Sequence, residues 1–180
     1  MRKDAPGFTL LEGIVGVAVA AVLCSLALPG FSELLRRQRS ATAMHLISAQ
    51  LAQARSTAIS RGQPVTLCPT AGDGHCRADA DWSRGWMLYL DPGSREQPLR
   101  GDHILRQLPE PLPRGVQLYS SSARARIRYQ PDGRSAGSNL TLRVCSGEEL
   151  VGEIVLNNFG RARTQKPAPG TACPMNQPGG

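Results

Sequence analysis

The chain has 180 residues, 41% of them hydrophobic and 19% charged, with a formal charge of +7 and an isoelectric point near 9.7. Aromatic residues make up only 4%, while 19 glycines and 14 prolines are spread along the chain, which argues against a helical bundle and for short strands joined by turns. The basic balance favours polyanionic partners without naming one, and the length beyond the apolar start, about 150 residues, suits one modest domain.

Arg2 and Lys3 precede an apolar run that continues to Leu28 and is closed by Pro29. This is about the length a helix needs to cross a bilayer, and the leading positive charge predicts a cytoplasmic start. Glu12 stands inside the run, where an unpaired carboxylate costs about 3 kcal/mol and so calls for a partner. A secretory signal could be cut at Ser25-Leu26-Ala27, but the length of the run and the acid at its head argue otherwise. A lipidated Cys24 is ruled out by the bulk of Leu23, and a plain anchor gives no reason for Glu12.

From Phe31 to Arg61 there is neither proline nor glycine. Met44, Ile47, Leu51, Ala54 and Ala58 recur at steps of three and four, one apolar face of a continuing helix, and Gly62 and Pro64 stop it. Arg36, Arg37 and Arg39 follow the membrane run on its far side, against the usual bias that keeps positive charge inside.

Strands are predicted for the rest: Val65 to Leu67, Trp86 to Leu90, Ile104 to Leu108, Val116 to Tyr119, Arg126 to Gln130, Leu140 to Cys145 and Glu153 to Phe159. A polar loop separates the first two, from Pro69 to Arg84. The Pro131-Asp132-Gly133 turn is expected to return Arg126–Gln130 onto Leu140–Cys145 as a hairpin. Beyond Lys166 the tail reads as irregular, held through Cys173. The fold class is α+β, a long N-terminal helix on a small antiparallel β domain. The expected segments are 1–7, a membrane helix 8–28, its soluble half 29–61, a globular domain 62–166 and a tail 167–180.

With Cys24 in the membrane run, Cys68, Cys76, Cys145 and Cys173 read as two disulfides with three possible connectivities. Proximity in sequence makes Cys68–Cys76 the first pairing and Cys145–Cys173 the second, worth about 2.5 and 3.5 kcal/mol by chain entropy. His75 beside Cys76 raises zinc as a competitor, but no Cys-x2-4-Cys pair exists. Asp73, Asp79 and Asp81 do not have EF-hand spacing and fit a solvated loop. His45, His75 and His103 are scattered, and no Gly-x-Ser-x-Gly elbow, phosphate loop or His-Glu-x-x-His occurs. No catalytic residue, metal or cofactor is therefore expected, and a membrane-anchored hydrolase is the most distant reading.

The arginines are more informative. Arg161 and Arg163 alternate, so in an extended chain they leave the same face, and Lys166 follows within reach. Arg124, Arg126 and Arg128 form a second ladder, with Arg143 expected nearby across the hairpin. Planar guanidinium forks match phosphate oxygens; equally, such ladders can mark a solvated face or guard a sheet edge.

Gly7-Phe8-Thr9-Leu10-Leu11-Glu12 resembles the processing site of type IV pilin-like proteins. The resemblance implies cleavage after Gly7 by prepilin peptidase, N-methylation of Phe8, and a contact of Glu12 with the amino terminus of a neighbouring subunit. Pro29 falls where such chains often carry a kinking proline, whereas Gly13 departs from the usual bulky aliphatic. Tyr129-Gln130-Pro131-Asp132-Gly133-Arg134 and the Val155 to Arg163 stretch are similar to internal motifs of the FimT/GspH group of minor pilins, so the resemblance covers most of the chain. In FimT proteins of natural transformation a Gly-Arg-x-Arg motif is associated with DNA, which here points to Gly160, Arg161 and Arg163.

The implied function is a minor pilin that binds extracellular DNA without sequence preference during uptake. Its partners would be other pilins, prepilin peptidase, the inner membrane and DNA through phosphate contacts. It would start as a single-pass inner-membrane protein with a periplasmic domain, in a Gram-negative cell, before joining a pilus. The alternative is a structural minor pilin or a pseudopilin of type II secretion that binds no DNA. If Glu12 is the assembly contact, Glu12→Ala will leave processing intact and lower filament incorporation, measured as processed subunit in sheared filaments against membranes; equal incorporation would remove that role.

Overall fold

The computed structural model describes residues 9–121, 125–137 and 139–174, with backbone alone at 26–29. Among the described residues one long helix, α1 (Leu10–Arg61), precedes eight strands: β1 (Val65–Pro69), β2 (Gly85–Leu90), β3 (Ile104–Pro109), β4 (Val116–Ser120), β5 (Ile127–Tyr129), β6 (Leu140–Ser146), β7 (Glu149–Leu156) and β8 (Ala162–Gln165). The chain divides into two compact units between Gln38 and Arg39.

In the first unit α1 begins at a cap. Thr9 Oγ1 accepts a hydrogen bond from the Glu12 amide at 3.3 Å, the forward bond of a Thr-x-x-Glu capping box. Glu12 therefore also lies in the first turn, where a carboxylate favours the positive end of the helix dipole. Leu10, Leu11, Ile14, Val15, Val17 and Val22 are exposed, on a stretch long and apolar enough to cross a membrane. Further on, Glu33 binds Arg36 and Arg37, each at 2.8 Å. Hydrogen bonds from Arg36, then Arg37, pull the Glu33 carboxyl down to about 2. The arginines beyond the apolar run are thus partly neutralised within their own helix.

In the second unit α1 buries Ala43, Ile47, Leu51, Ala54 and Ala58, the stripe its spacing predicts, with Met44 half-buried beside it. It ends at Gly62, whose φ of 61° suits the left-handed C-terminal position. Two four-stranded antiparallel sheets follow, in the orders β3-β2-β1-β5 and β4-β6-β7-β8. The helix stripe and both sheets share one core that includes Leu67, Leu88, Ile127, Leu118, Leu142 and Ile154. β6 and β7 alternate buried and half-exposed residues, as sheets with one face on a core do. β1 is buried at every position, because loops cover the outer face of its sheet. There Cys68, Cys76, Met87 and Tyr89 pack with Ile104, and Gln97 joins the loops by exchanging two hydrogen bonds with the Cys76 backbone, at 2.7 and 2.9 Å.

The disulfides are Cys68–Cys76 and Cys145–Cys173. Four local expectations are corrected. The Pro131–Gly133 turn returns only through Ser135 and Ala136, since Tyr129 bridges Ser135 and the Ala136 amide reaches the Arg128 carbonyl. The chain then crosses to the other sheet, so β5 pairs with β1 and β6 lies between β4 and β7; the apolar face of Leu140, Leu142 and Val144 is satisfied by the shared core. The strand expected to run to Phe159 stops at Leu156, and β8 follows a turn. The 69–84 loop is not simply polar: Trp82 is fully buried and its amide bonds the Leu118 carbonyl, covering the free edge of β4. The tail is held by more than Cys173, because Leu150 N donates to Thr171 O at 2.8 Å and Cys173 N to Glu148 O at 2.7 Å.

Asp91, just after β2 and 2% exposed, ties the first sheet together. Its carboxylate accepts hydrogen bonds from Thr66 Oγ1 at 2.8 Å, Arg128 Nε at 2.7 Å and the Arg95 amide at 2.7 Å. Removing it strands a mostly buried guanidinium and a buried hydroxyl, so Asp91→Ala will lower stability by about 3 kcal/mol. Denaturant melts of the full chain in detergent check this; a loss well under 1 kcal/mol would contradict it.

Candidate nucleic-acid interface

The structure separates the basic residues into two groups. Arg126 pairs with Glu96 at 3.2 Å, Arg128 with Asp91 at 2.7 Å and Arg143 with Glu153 at 3.4 Å. Arg128 also donates to the Arg95 carbonyl at 3.0 Å. Arg143 stands on the other sheet, directly opposite Glu153 in register, so it does not join Arg126 and Arg128 as expected; the missing hairpin is the reason. Arg124, and Gly7 and Phe8 of the processing motif, lie outside the described residues.

Arg161, Arg163 and Lys166 are exposed and make no ion pair among the described residues. They sit on and around β8, an edge strand whose four residues are all exposed. The turn before it is closed by Asn157: its amide donates to the Arg161 carbonyl at 3.1 Å, its carbonyl accepts from Gly160 at 2.9 Å and its side-chain oxygen from the Arg161 amide at 3.0 Å. Arg163 pairs with Val155 and Ala162 with Leu156. The arginines are therefore carried by a hairpin and an ordered edge, rather than by an irregular tail.

Both internal motifs meet here. Gly160 has φ 74°, and a Cβ on it would lie 2.1 Å from the Gly133 carbonyl oxygen and 3.2 Å from the Tyr129 ring. Gly133, with φ 79°, in turn lies against Ile59 and Arg55 of α1, and Arg55 Nε donates to its carbonyl at 3.0 Å. Ser135 N bonds the Asn158 carbonyl at 3.1 Å, and the Arg134 guanidinium lies 5.5 Å from the Phe159 ring centre, a cation–π distance. The Pro131–Gly133 turn is thus held between the helix and the β7–β8 turn.

A groove of about 720 Å³ runs between α1 and β8, lined by Ser48, Arg55, Ser56, Tyr129 and residues 160–164 together with Leu51, Ala52 and Ile59. No carboxylate lines it. The hydroxyls of Tyr129 and Ser48 are buried without a hydrogen-bond partner among the described residues. Burial pushes the Tyr129 phenol well up, with the nearby Arg55 charge opposing, so it stays a neutral donor. The sequence does not single out the helix wall, because the apolar core stripe is the stronger signal; beside it Ser48, Ala52, Arg55 and Ile59 follow at steps of four, three and four along the helix flank. The loop carboxylates Asp73, Asp79 and Asp81 are engaged separately, with the His75 amide, Arg77 and the Ser83 amide.

Comparison with known proteins agrees with this architecture. The family model of the Type II transport protein GspH matches residues 43–160, well over half of the chain. A fimbrial protein of Dichelobacter nodosus is 24% identical over 159 residues, covering 87% of this chain and 85% of that protein. Two crystal forms of the type IV minor pilin FimU of Pseudomonas aeruginosa superpose with TM-scores of 0.55 and 0.52. Their identities are 18% and 17%, covering 80% and 72% of this chain and 97% and 94% of FimU, a likeness of fold. The matched stretch begins on the buried face of α1 and ends at Gly160, so it takes in the shared core and both packed turns: the chain is a type IV pilin-like member of the GspH family.

Proposed function

We propose that this chain is a minor pilin of a type IV pilus that holds incoming DNA through Arg161, Arg163 and Lys166 during natural transformation. The observation that carries the reading is the sorting of charge: Arg126, Arg128 and Arg143 are each matched to a carboxylate, while Arg161, Arg163 and Lys166, on and beside an edge strand, have no ion pair among the described residues. The apolar start of α1 would anchor the subunit in the inner membrane. Processing after Gly7 by prepilin peptidase, methylation of Phe8 and a Glu12 contact with a neighbouring amino terminus would then carry it into the filament.

Phosphate contact is the chemistry such a surface supports. Exposed guanidiniums offer forked donors to phosphate oxygens. Phe159, the aromatic beside the motif, already faces Arg134, so stacking of bases has little to build on. Binding is then independent of sequence, salt-sensitive and strengthened by repeated subunits.

A second reading rests on β8 being a sheet edge. Its arginines would then keep that edge from pairing with other chains, and the subunit would be purely structural, in a pilus or a type II secretion filament. A deletion strain separates the two: lost transformation with intact pili favours DNA uptake, lost pili or lost secretion favours the structural role.

Two measurements on the full chain in uncharged detergent test the DNA reading. Arg161→Gln with Arg163→Gln will weaken duplex binding and reduce the log–log salt slope from about −2.7 to about −0.9; unchanged affinity would sink the assignment. Gly160→Ala retains every charge but forces a Cβ into the Gly133 carbonyl in a left-handed position. It will cost about 2–5 kcal/mol of stability and lower DNA affinity, whereas native stability would contradict the packing described.

A further inference from the structure

β8 ends its sheet without closing it. It pairs with β7 alone, so its other edge presents a row of N–H and C=O groups with no ladder partner among the described residues. The hairpin sets which groups these are. Asn157 donates to the Arg161 carbonyl, and in an antiparallel ladder bonded pairs recur at every second residue. Arg163 and Gln165 therefore bond to β7, while the amides and carbonyls of Ala162 and Thr164 point to the free edge.

The two faces of the strand also differ. Ala162 and Thr164 stand opposite the buried Leu156 and Ile154, so their side chains take the inner face, toward the groove of about 720 Å³ beside α1. Both are nevertheless exposed. Across the groove Ala52, Ser56 and Ile59 of α1 are exposed as well. Two further groups lining it, the Ser48 and Tyr129 hydroxyls, are buried with no hydrogen-bond partner among the described residues. The core is thus uncovered along this edge, with small side chains on either side of a gap where a further strand would lay its inner residues. On the outer face Arg161 and Arg163 stand opposite Asn157 and Val155.

We propose that the β8 edge accepts an added strand from another protein chain, one that alternates carboxylates on its outer face with small apolar or hydroxyl residues on its inner face. Main-chain bonds to Ala162 and Thr164 supply the attachment, and the alternate side chains supply the selection. Outward carboxylates lie across from Arg161 and Arg163 as cross-strand pairs of opposite charge. Inward residues enter the groove against Ala52, Ser56 and Ile59, and an inward hydroxyl gives the Ser48 and Tyr129 groups a partner. A second copy of this chain does not fit. β8 laid antiparallel on β8 through the same free groups sets arginine opposite arginine, and like charges so placed are destabilising. The arginines therefore do more than guard the edge: they select an acidic strand. The inference goes beyond the DNA reading, since it uses the backbone edge and inner face of β8, and an acidic strand held there excludes DNA from the same guanidiniums.

The full chain in uncharged detergent is titrated with a labelled, end-capped peptide alternating Glu and Val, and with a match in which Lys replaces Glu. Two further forms of the Glu–Val peptide are methylated on the backbone nitrogens of every Glu or of every Val. Saturable binding is expected for the Glu–Val peptide and none for the Lys–Val peptide. An added strand bonds through alternate nitrogens only, so one methylated form will bind at least about tenfold more weakly and the other like the parent. Thr164→Pro removes an edge-facing N–H that β7 does not use and keeps both arginines. It will weaken the Glu–Val peptide about tenfold, with the fold checked by its thermal melt; should that variant unfold, the methylated pair on the native chain decides.

Absence of saturable Glu–Val binding, equal binding of the Lys–Val peptide, or equal binding of the two methylated forms overturns the proposal. Self-association of the native chain that Thr164→Pro abolishes would make a second copy the occupant and overturn it as well.

Discussion

Gly133 and Gly160 are both in left-handed conformation, and Gly160 lies so close on the Gly133 carbonyl that it has no room for a side chain. That contact is the constraint on which the candidate interface depends. One glycine belongs to the crossover between the two sheets and the other to the hairpin that begins β8, and Arg55 of α1 is hydrogen-bonded to the first. Helix, crossover and hairpin are therefore located by one close approach, reinforced by the Ser135–Asn158 backbone bond. The position of Arg161 follows from it directly, because its amide is held by Asn157 in the same turn.

Around this fixed point the arginines differ in what surrounds them rather than in their own chemistry. Arg128 and Asp91 form an ion pair on a nearly buried carboxylate that also bonds two loop and strand groups, a geometry in which charge is spent on cohesion. Arg143 and Glu153 do the same across β6 and β7, with both side chains partly exposed, where such a pair contributes little to stability. Arg161 and Arg163 are exposed and have no such neighbour among the described residues, so their field extends into solvent.

Much of this fold was legible in the sequence because its strongest signals are local. The helix stripe of Ile47, Leu51, Ala54 and Ala58, the stop at Gly62 and the apolar strand centres all come from periodicity and turn chemistry. What was not legible depends on pairing at long range. Arg126–Gln130 and Leu140–Cys145 look like the arms of a hairpin around a strong turn, and only the shared core, which needs the face of Leu142 against the helix, sends them to different sheets. Misplacing that crossover also misplaced Arg143. For the candidate site, the Gly-Arg-x-Arg pattern marks the hairpin, whereas the groove that Ser48, Arg55 and Ser56 line depends on the hairpin lying along the helix flank, which is a long-range contact.

The anchoring of the segment after β8 gives this edge a mechanical property. On one side β8 is folded back through the Asn157–Arg161 turn; on the other, the chain re-pairs with β7 at Thr171 and is covalently joined to β6 through Cys173 and Cys145. A pull applied at Arg163, such as a load on a strand held there, can peel β8 from β7 by breaking four residue pairs. Only the ten residues from Arg163 to Cys173 can then straighten, about 35 Å at full extension. Beyond that length tension passes through the disulfide into the middle of the second sheet, so the edge works as a short tether with a covalent stop.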